Sequence, residues 1–259
     1  MGNKHQPEIV ICQDSKYAAD CVAKQFALAI KEKPESVLGL ATGGTPVAVY
    51  EKLVCWNQTG EVCFKACKTF NLDEYVGLEP EHEQSYRYFM QDNLFNHVNV
   101  KKENTYVPSG IAEDLNQACV HYESEIHAAG GIDLQLLGIG ENGHIAFNEP
   151  GSDPSGRTSV VNLTENTIKA NSRFFESIDD VPTTAVTLGI GTILEADRII
   201  LMATGKNKAE AVSRALTGEP ALDSPASYLM TRNNVIFVLD SDAAEQLPES
   251  LLQSATRVP

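Results

Sequence analysis

Short apolar runs recur along the chain, and amphipathic segments of helical length separate most of them. The runs have the length of buried strands and fall at residues 8–12, 36–41, 67–72, 132–138, 197–203 and 234–240. The helical candidates are residues 15–32, 46–57, 84–97, 113–128 and 206–217, with 225–230 as a shorter one. Because strands that alternate with helices form βαβ units, the pattern predicts a Rossmann-like α/β fold, a mainly parallel sheet with helices on both faces.

The 259 residues suffice to bury about 70–75% of the surface of the unfolded chain. No linker rich in proline, serine, glycine or charge divides them, so we expect one domain over residues 1–259. Residues 150–185 interrupt the alternation of apolar runs and helical segments. This stretch is polar and contains several glycines and prolines, and its one candidate helix is residues 164–175. We interpret this stretch either as a lid over a neighbouring site or as an ordinary packed excursion.

The formal net charge of −15 argues against nucleic acid as a partner, because it would repel a polyanion and no cluster of lysine and arginine offsets it. A single phosphate group is different, since a few local cations and backbone N–H groups can hold one. The sequence has no apolar signal core and no run of about 18 apolar residues, which predicts a cytoplasmic chain without a membrane span. The 6 cysteines are expected to be reduced thiols.

A glycine-bounded loop, GIGENGHIAFNEP at residues 138–150, follows the apolar run that contains Leu137. Side chains just after a buried parallel strand lie at the edge of the sheet where open α/β proteins bind ligands. His144 and Glu149 are therefore the first catalytic candidates. The GxGxxG spacing is not taken as a dinucleotide site, because no helix begins inside the glycines, and no HExxH-type spacing supports a metal. We expect no cofactor.

A second glycine-containing turn, ATGGTP at residues 41–46, joins an apolar run to a helical segment. We expect Thr45 as the N-cap of that helix and Pro46 as its first residue. Free backbone N–H groups and the helix dipole would favour a phosphate there, although the Walker A spacing is absent, and an ordinary tight turn is an equal alternative. Arg173 and Lys208 are two cations that could reach a phosphate, and solvated side chains are the plainer interpretation of both.

Two adjacent acids, Asp73 and Glu74, follow the apolar run at residues 67–72. At most one of them can point along the binding edge of the sheet. A carboxylate drawn partly out of water becomes more basic, which suits removal of a proton next to a carbonyl group. The alternative interpretation of the pair is a solvated turn or a cap for the following helix.

Five segments together resemble the glucosamine-6-phosphate deaminase family, in its shorter bacterial form. They are ATGGTP at 41–46, FNLDEYVGL at 70–78, GIGENGHIAFNEPGS at 138–152, ANSRFF at 170–175 and TLGIGTIL at 187–194. The resemblance covers nearly the whole chain. The FNLDEY and GHIAFNEP segments distinguish it from the 6-phosphogluconolactonases, which share the fold.

The resemblance implies conversion of D-glucosamine 6-phosphate and water to D-fructose 6-phosphate and ammonia, without a cofactor. By analogy, Asp73 moves a proton from C2 to C1 of the open-chain sugar. His144 opens the pyranose ring, and Glu149 orients its imidazole. The phosphate of the substrate would bind at Thr42, Gly43, Gly44, Thr45, Arg173 and Lys208.

Asn142 departs from the pattern, because some family members carry an aspartate before the glycine and the ring-opening histidine. An asparagine cannot act as a carboxylate base, yet it can hydrogen-bond and hold His144 in one tautomer. We therefore keep Asn142 in the catalytic set, with a different division of labour.

Two alternative functions follow from the same residues. One is an enzyme that acts on the galactosamine epimer, since the contacts that read C4 cannot be placed from the sequence. The other is a non-catalytic sugar-phosphate sensor, which is expected to carry a helix-turn-helix segment and to lose its acid/base residues. Because Asp73, His144 and Glu149 are all present, catalysis is favoured.

We predict no activation by N-acetylglucosamine 6-phosphate, which allosteric family members bind between subunits with an arginine and a lysine. The matching positions are Ser159 and Val161, so a second phosphate would lack charge-assisted hydrogen bonds. We accordingly expect a monomer or a small homo-oligomer rather than a regulated hexamer. Initial rates at sub-saturating substrate should be equal with and without this ligand, and a rate increase would contradict the prediction.

Overall fold

The computed structural model describes residues 7–258, whose strands form two sheets. The strands are β1 Glu8–Cys12, β2 Val37–Leu40, β3 Lys68–Asn71, β4 Asp73–Tyr75, β5 Thr105–Tyr106, β6 Leu134–Leu137, β7 Ser159–Asn162, β8 Thr184–Thr187, β9 Ile199–Ala203, β10 Val235–Asp240 and β11 Thr256–Val258. The larger sheet has eight strands, all parallel to their neighbours, in the order β11-β1-β10-β9-β6-β2-β3-β5. Each predicted apolar run contains one of these strands, which confirms the Rossmann-like α/β class.

The central strands of the larger sheet are covered on both sides, since every residue of β2, β6, β9 and β10 is buried. The helices are α1 Ser15–Glu32, α2 Val47–Gln58, α3 Tyr86–Met90, α4 Leu115–Ala128, α5 Glu165–Asn171, α6 Ile190–Leu194, α7 Ala209–Thr217 and α8 Glu249–Ser254. These confirm the longer helical predictions, except that the segment predicted at 84–97 is α-helical only in α3 and continues as a π-helix, Gln91–Phe95. The segment predicted at 225–230 is a 3-10 helix, Pro225–Thr231. No helix of the described residues is long and apolar enough to cross a membrane.

Helix α1 shows how the sequence pattern produces these elements. Val22, Phe26 and Ile30 lie one turn apart and are buried, so one face of the helix packs into the core. The side chain of Asp14 caps the helix by accepting hydrogen bonds from the backbone N–H groups of the next turn, at 2.9 and 3.0 Å.

The second sheet is antiparallel, with the order β4-β8-β7, and the sequence does not predict it. We expected one helix as the sole element of residues 150–185, and that prediction was wrong because β7 and the start of β8 also lie there. The exposure of β7 explains the miss, since none of its residues is fully buried and no apolar run marks it. The predicted helix at 164–175 is present as α5 followed by a 3-10 turn, Ser172–Phe174.

Leu72 joins the two sheets. Its N–H donates to the carbonyl of Leu40 in the large sheet at 3.2 Å, and its carbonyl accepts the N–H of Leu188, just after β8, at 2.8 Å. Asp73, the next residue, therefore lies where the sheets meet. It pairs with Thr187, whose hydroxyl accepts the N–H of Phe147 at 3.1 Å. This junction brings Asp73 to the loop that carries His144 and Glu149.

Candidate active site

Three side chains of the loop after β6 form a hydrogen-bonded chain, here called the relay: His144, Asn142 and Glu149. The imidazole Nδ1 lies 2.8 Å from Asn142 Oδ1, and Asn142 Nδ2 donates to Glu149 Oε2 at 2.7 Å. Because the amide of Asn142 donates to the carboxylate, its carbonyl oxygen faces His144, and we assign the imidazole hydrogen to Nδ1. Nε2 is then the nitrogen that can accept a proton. The Glu149 carboxylate lies farther from Nδ1, at 3.7 Å, so Asn142 makes the direct contact.

The backbone of this loop is shaped around the imidazole. A Cβ atom at position 140 would lie 2.2 Å from the ring of His144, so only glycine leaves room for it. Ala146 has a φ of +51° in a tight turn, closed by a hydrogen bond of 3.0 Å from Asn148 N to Ile145 O. The left-handed conformation costs a residue with a side chain about 1–2 kcal/mol, and such strain is typical of functional loops.

Burial lowers the pKa of His144, with the negative charge of Glu149 opposing this effect and the positive charge of Lys208 adding to it. The imidazole is therefore neutral at physiological pH. A neutral imidazole with a free Nε2 is the form that acts as a general base.

Both carboxylate oxygens of Glu74 accept hydrogen bonds from backbone N–H groups. Its carboxylate accepts the N–H groups of Tyr75, Tyr86 and Arg87, each at 2.9 Å. Two of these donors are the first residues of α3, whose early N–H groups have no partner inside the helix. The sequence left open whether the acidic pair supplies a base, a solvated turn or a helix cap, and Glu74 caps the start of α3.

Asp73 has the opposite environment. It is buried, and its carboxylate accepts no hydrogen bond from the part of the chain that the structure describes. Burial, and after it the negative charge of Glu74, raises the pKa of Asp73 to about 8. A carboxylate that is desolvated without donors is unusually basic, so Asp73 is the candidate proton acceptor of the pair.

Two tyrosines that the sequence analysis did not select lie close to Asp73, whose charge affects both. The rings of Tyr75 and Tyr86 are 4.9 Å apart, and Asn171 at the end of α5 donates to the Tyr75 hydroxyl at 2.8 Å. The Tyr86 hydroxyl interacts with that of Tyr75 and with Thr42 in the loop after β2. Burial raises the pKa of Tyr75 to about 12 and raises that of Tyr86 as well, so both phenols stay protonated. In the sequence they are indistinguishable from core aromatic residues.

The loop between β2 and α2 places two hydroxyls and two glycines at the same edge of the sheet. Gly44 is exposed, and the half-exposed positions are Thr42, Gly43 and Thr45. The predicted cap was wrong, because Pro46 is the N-cap of α2 and its carbonyl accepts the Tyr50 N–H at 3.0 Å. Pro46 has a helix-like φ of −80°, yet the hydrogen-bonded helix begins at Val47, one residue later than expected. Within residues 7–258 the Thr45 hydroxyl makes no capping hydrogen bond, which leaves it available to a ligand.

Lys208, which precedes α7, is close enough to the relay for its charge to act on His144. Burial is the main cause that lowers the pKa of Lys208, with Glu141 opposing it and Arg173 adding to it. Arg173 lies on the exposed turn after α5, where its guanidinium stacks on the Phe174 ring at 4.6 Å. Two cations thus approach one another beside the relay, an arrangement that an anionic ligand would stabilise.

A family model described as glucosamine-6-phosphate isomerases/6-phosphogluconolactonase matches residues 13–238. The chain belongs to this family. Within the family, the glucosamine-6-phosphate deaminase of Thermoanaerobacter sp. (strain X514) is 52% identical over 92% of this chain and 93% of that protein. The enzyme of the same name from Clostridium perfringens (strain 13 / Type A) is 49% identical over 92% of this chain and 99% of that protein. The resemblance seen in the sequence motifs is therefore confirmed.

Two solved structures are also similar to the chain. A structure described as a monomeric glucosamine-6-phosphate deaminase has a TM-score of 0.91 and 45% identity, and the match covers 92% of this chain and 99% of that one. A 6-phosphogluconolactonase from Trypanosoma brucei matches with a TM-score of 0.75 and 20% identity over 94% of this chain and 100% of that one, which shows a shared fold.

We predict that Asp73→Asn stabilises the protein, and increasingly so as the pH rises. Because the pKa of Asp73 is raised above the unfolded value of about 3.9, the folded state binds more protons than the unfolded state between about pH 4 and pH 8. Wild-type stability therefore falls across this interval, whereas an asparagine does not titrate. The melting temperature of the variant, compared with wild type and with the exposed Asp242→Asn, should show a growing gain toward pH 8. A gain that is independent of pH would contradict the prediction.

Proposed function

We propose that the protein is a glucosamine-6-phosphate deaminase, which converts D-glucosamine 6-phosphate and water to D-fructose 6-phosphate and ammonia. The observation that carries the proposal is a buried carboxylate, Asp73, that accepts no hydrogen bond from residues 7–258 and lies on a segment held against the loop of the neutral imidazole of His144. The reaction needs both groups, one to open the sugar ring and one to move a proton between carbons. The deaminase relatives at 52% and 49% identity support the choice of substrate.

Ring opening is assigned to the relay. His144 Nε2 accepts the proton of the anomeric hydroxyl and delivers it to the ring oxygen as the bond between C1 and that oxygen breaks. The imidazolium that forms in between is stabilised by the negative charge of Glu149, transmitted through the Asn142 amide. Asn142 needs no charge of its own for this role, because the carboxylate lies one hydrogen bond away.

Proton transfer is assigned to Asp73. Its carboxylate takes the proton from C2, the electrons of the C–H bond form the C1–C2 double bond, and the electrons of the C1 carbonyl double bond move to O1, which takes a proton from the ammonium group of the substrate. In the resulting enolamine the nitrogen lone pair forms the C=N bond as Asp73 returns its proton to C1. The imine left at C2 adds water and loses ammonia, which gives the ketose. A carboxylate whose pKa is raised to about 8 is a stronger base than an exposed aspartate, and general base catalysis contributes about 10²–10⁴-fold.

The substrate phosphate is assigned to the loop before α2 and to two cations. The loop residues are Thr42, Gly43, Gly44 and Thr45, whose N–H groups and hydroxyls suit an anion. Lys208 supplies positive charge beside the relay, and Arg173 approaches it from the turn after α5. Binding the phosphate at this point would fix the distance of the sugar ring from His144.

Under the same proposal, the chain binds a small sugar phosphate. The protein is then a monomer located in the cytoplasm. The similar structure described as a monomeric deaminase supports the monomer. A cytoplasmic location suits a phosphorylated substrate, because its charge keeps it from crossing a bilayer. The proposed chemistry uses neither a cofactor nor nucleic acid.

The test is to incubate the purified protein with D-glucosamine 6-phosphate and EDTA and to measure both products. Ammonia and fructose 6-phosphate should appear in equal amounts, and kcat/KM should rise toward a plateau above about pH 8 because Asp73 must be ionised to accept a proton. Asp73→Asn should lower kcat by about 10²–10⁴-fold, whereas the exposed control Asp92→Asn should not.

Each contrary outcome has a distinct meaning. Wild-type rates in Asp73→Asn would remove Asp73 from the mechanism and leave the reaction intact. No turnover, with the ligand still raising the melting temperature, would overturn the enzyme and leave a sugar-phosphate binder. Turnover of galactosamine 6-phosphate alone would assign the epimer as the substrate.

A further inference from the structure

The relay uses one oxygen of the Glu149 carboxylate, and the other oxygen is held from a different element. Glu149 Oε2 accepts the Asn142 amide, whereas Oε1 accepts the hydroxyl of Thr164, at 3.2 Å, and that of Thr167. Thr164 is the N-cap of α5 and Thr167 lies in its first turn. The carboxylate is therefore held between the loop after β6 and the start of α5, through residues 15 and 18 positions further along the chain.

The two threonines do not have equal roles. Thr164 is exposed, and its oxygen already accepts the backbone N–H of Thr167 at 3.2 Å, so helix capping explains its presence. Thr167 is buried and its hydroxyl hydrogen is directed at Glu149. A hydroxyl has a single hydrogen to donate, and that of Thr167 is committed to the carboxylate.

We propose that Thr167 is a positioning residue for ring opening, because its hydroxyl holds Glu149 in the rotamer that reaches Asn142. The inference rests on the proposed function and adds that ring opening depends on the position of α5. The relay is complete only while α5 is docked against the catalytic loop. A carboxylate that loses this donor can turn about its side-chain bonds, and the imidazolium of His144 then loses the charge that stabilises it.

Helix α5 makes few contacts with the rest of the protein. The helix contacts the body of the protein through Thr167, through the half-buried Ile168 in the small apolar cluster, and through Asn171, which bonds to Tyr75. Its remaining residues, and those of the following segment up to residue 180, are mostly exposed. Few buried apolar contacts mean a low free energy of local opening, so the Thr167 hydroxyl links a weakly held helix to the acid/base chemistry.

The test compares Thr167→Val, which keeps the shape and removes the hydroxyl, with Thr167→Ser, which keeps the hydroxyl. The matched control is Thr192→Val, since Thr192 is equally buried and donates to a different carboxylate, that of Glu123, at 2.6 Å. Thr167→Val should lower kcat about 10- to 100-fold, the effect of a small misplacement of catalytic groups. Thr167→Ser should restore most of this rate, and Thr192→Val should keep the wild-type kcat.

A second measurement separates positioning from folding. The probe is 2-amino-2-deoxy-D-glucitol 6-phosphate, an acyclic analogue that has no ring to open. Its Kd should stay within about twofold of wild type in Thr167→Val, because a residue that acts only on ring opening changes kcat and not ligand binding. Should Thr167→Val not fold, Thr167→Ala carries the same comparison.

The outcomes distinguish this inference from the proposed function. A wild-type protein without deaminase activity would overturn the proposed function. An active wild type with full kcat in Thr167→Val would overturn the inference alone. Parallel losses of kcat, analogue binding and melting temperature, without rescue by serine, would show a structural role and would also overturn it.

Discussion

The carboxylate of Asp73 is withdrawn from water and receives no hydrogen bond from the described part of the chain, which is costly. The surrounding structure holds it there. The chain leaves the large sheet at Leu72, which bonds to both sheets and fixes the position of the next residue. Glu74 takes the backbone donors that open α3. The protonated phenols of Tyr75 and Tyr86 lie close to Asp73. The basicity of Asp73 is thus a property of the sheet junction and not of the residue type.

The two candidate catalytic carboxylates show opposite solutions to burial. Asp73 has no donor among the described residues, which favours its protonated form, whereas Glu149 accepts hydrogen bonds from an amide and two hydroxyls. The Asp73 carboxylate is therefore suited to exchange a proton, whereas the Glu149 carboxylate is held in one orientation beside Asn142. A single fold can give two carboxyl groups different roles in acid/base chemistry by placing them in different surroundings.

The sequence predicted those parts of the molecule in which burial and periodicity coincide. The fully buried strands and α1 could be predicted because a covered strand must be apolar and a surface helix must be amphipathic. The antiparallel sheet could not, because β4 consists of Asp73, Glu74 and Tyr75, and β7 is exposed. Side chains on loops after strands could be selected as candidates from their position alone. Tyr86 and Thr167 could not, since they reach the site from helices whose docking is set by tertiary contacts.

The strained turn at Ala146 has a consequence for the preorganisation of the site. A glycine at this position would adopt the same φ without strain, and it would also give the loop many other conformations. Alanine allows the turn fewer backbone conformations than glycine does. The left-handed conformation of Ala146 costs about 1–2 kcal/mol, and in return the loop samples fewer conformations. The imidazole two residues earlier then stays near one position before any ligand arrives. Expressed as an effective molarity, the restricted loop raises the effective concentration of a correctly placed base at the anomeric hydroxyl of the substrate.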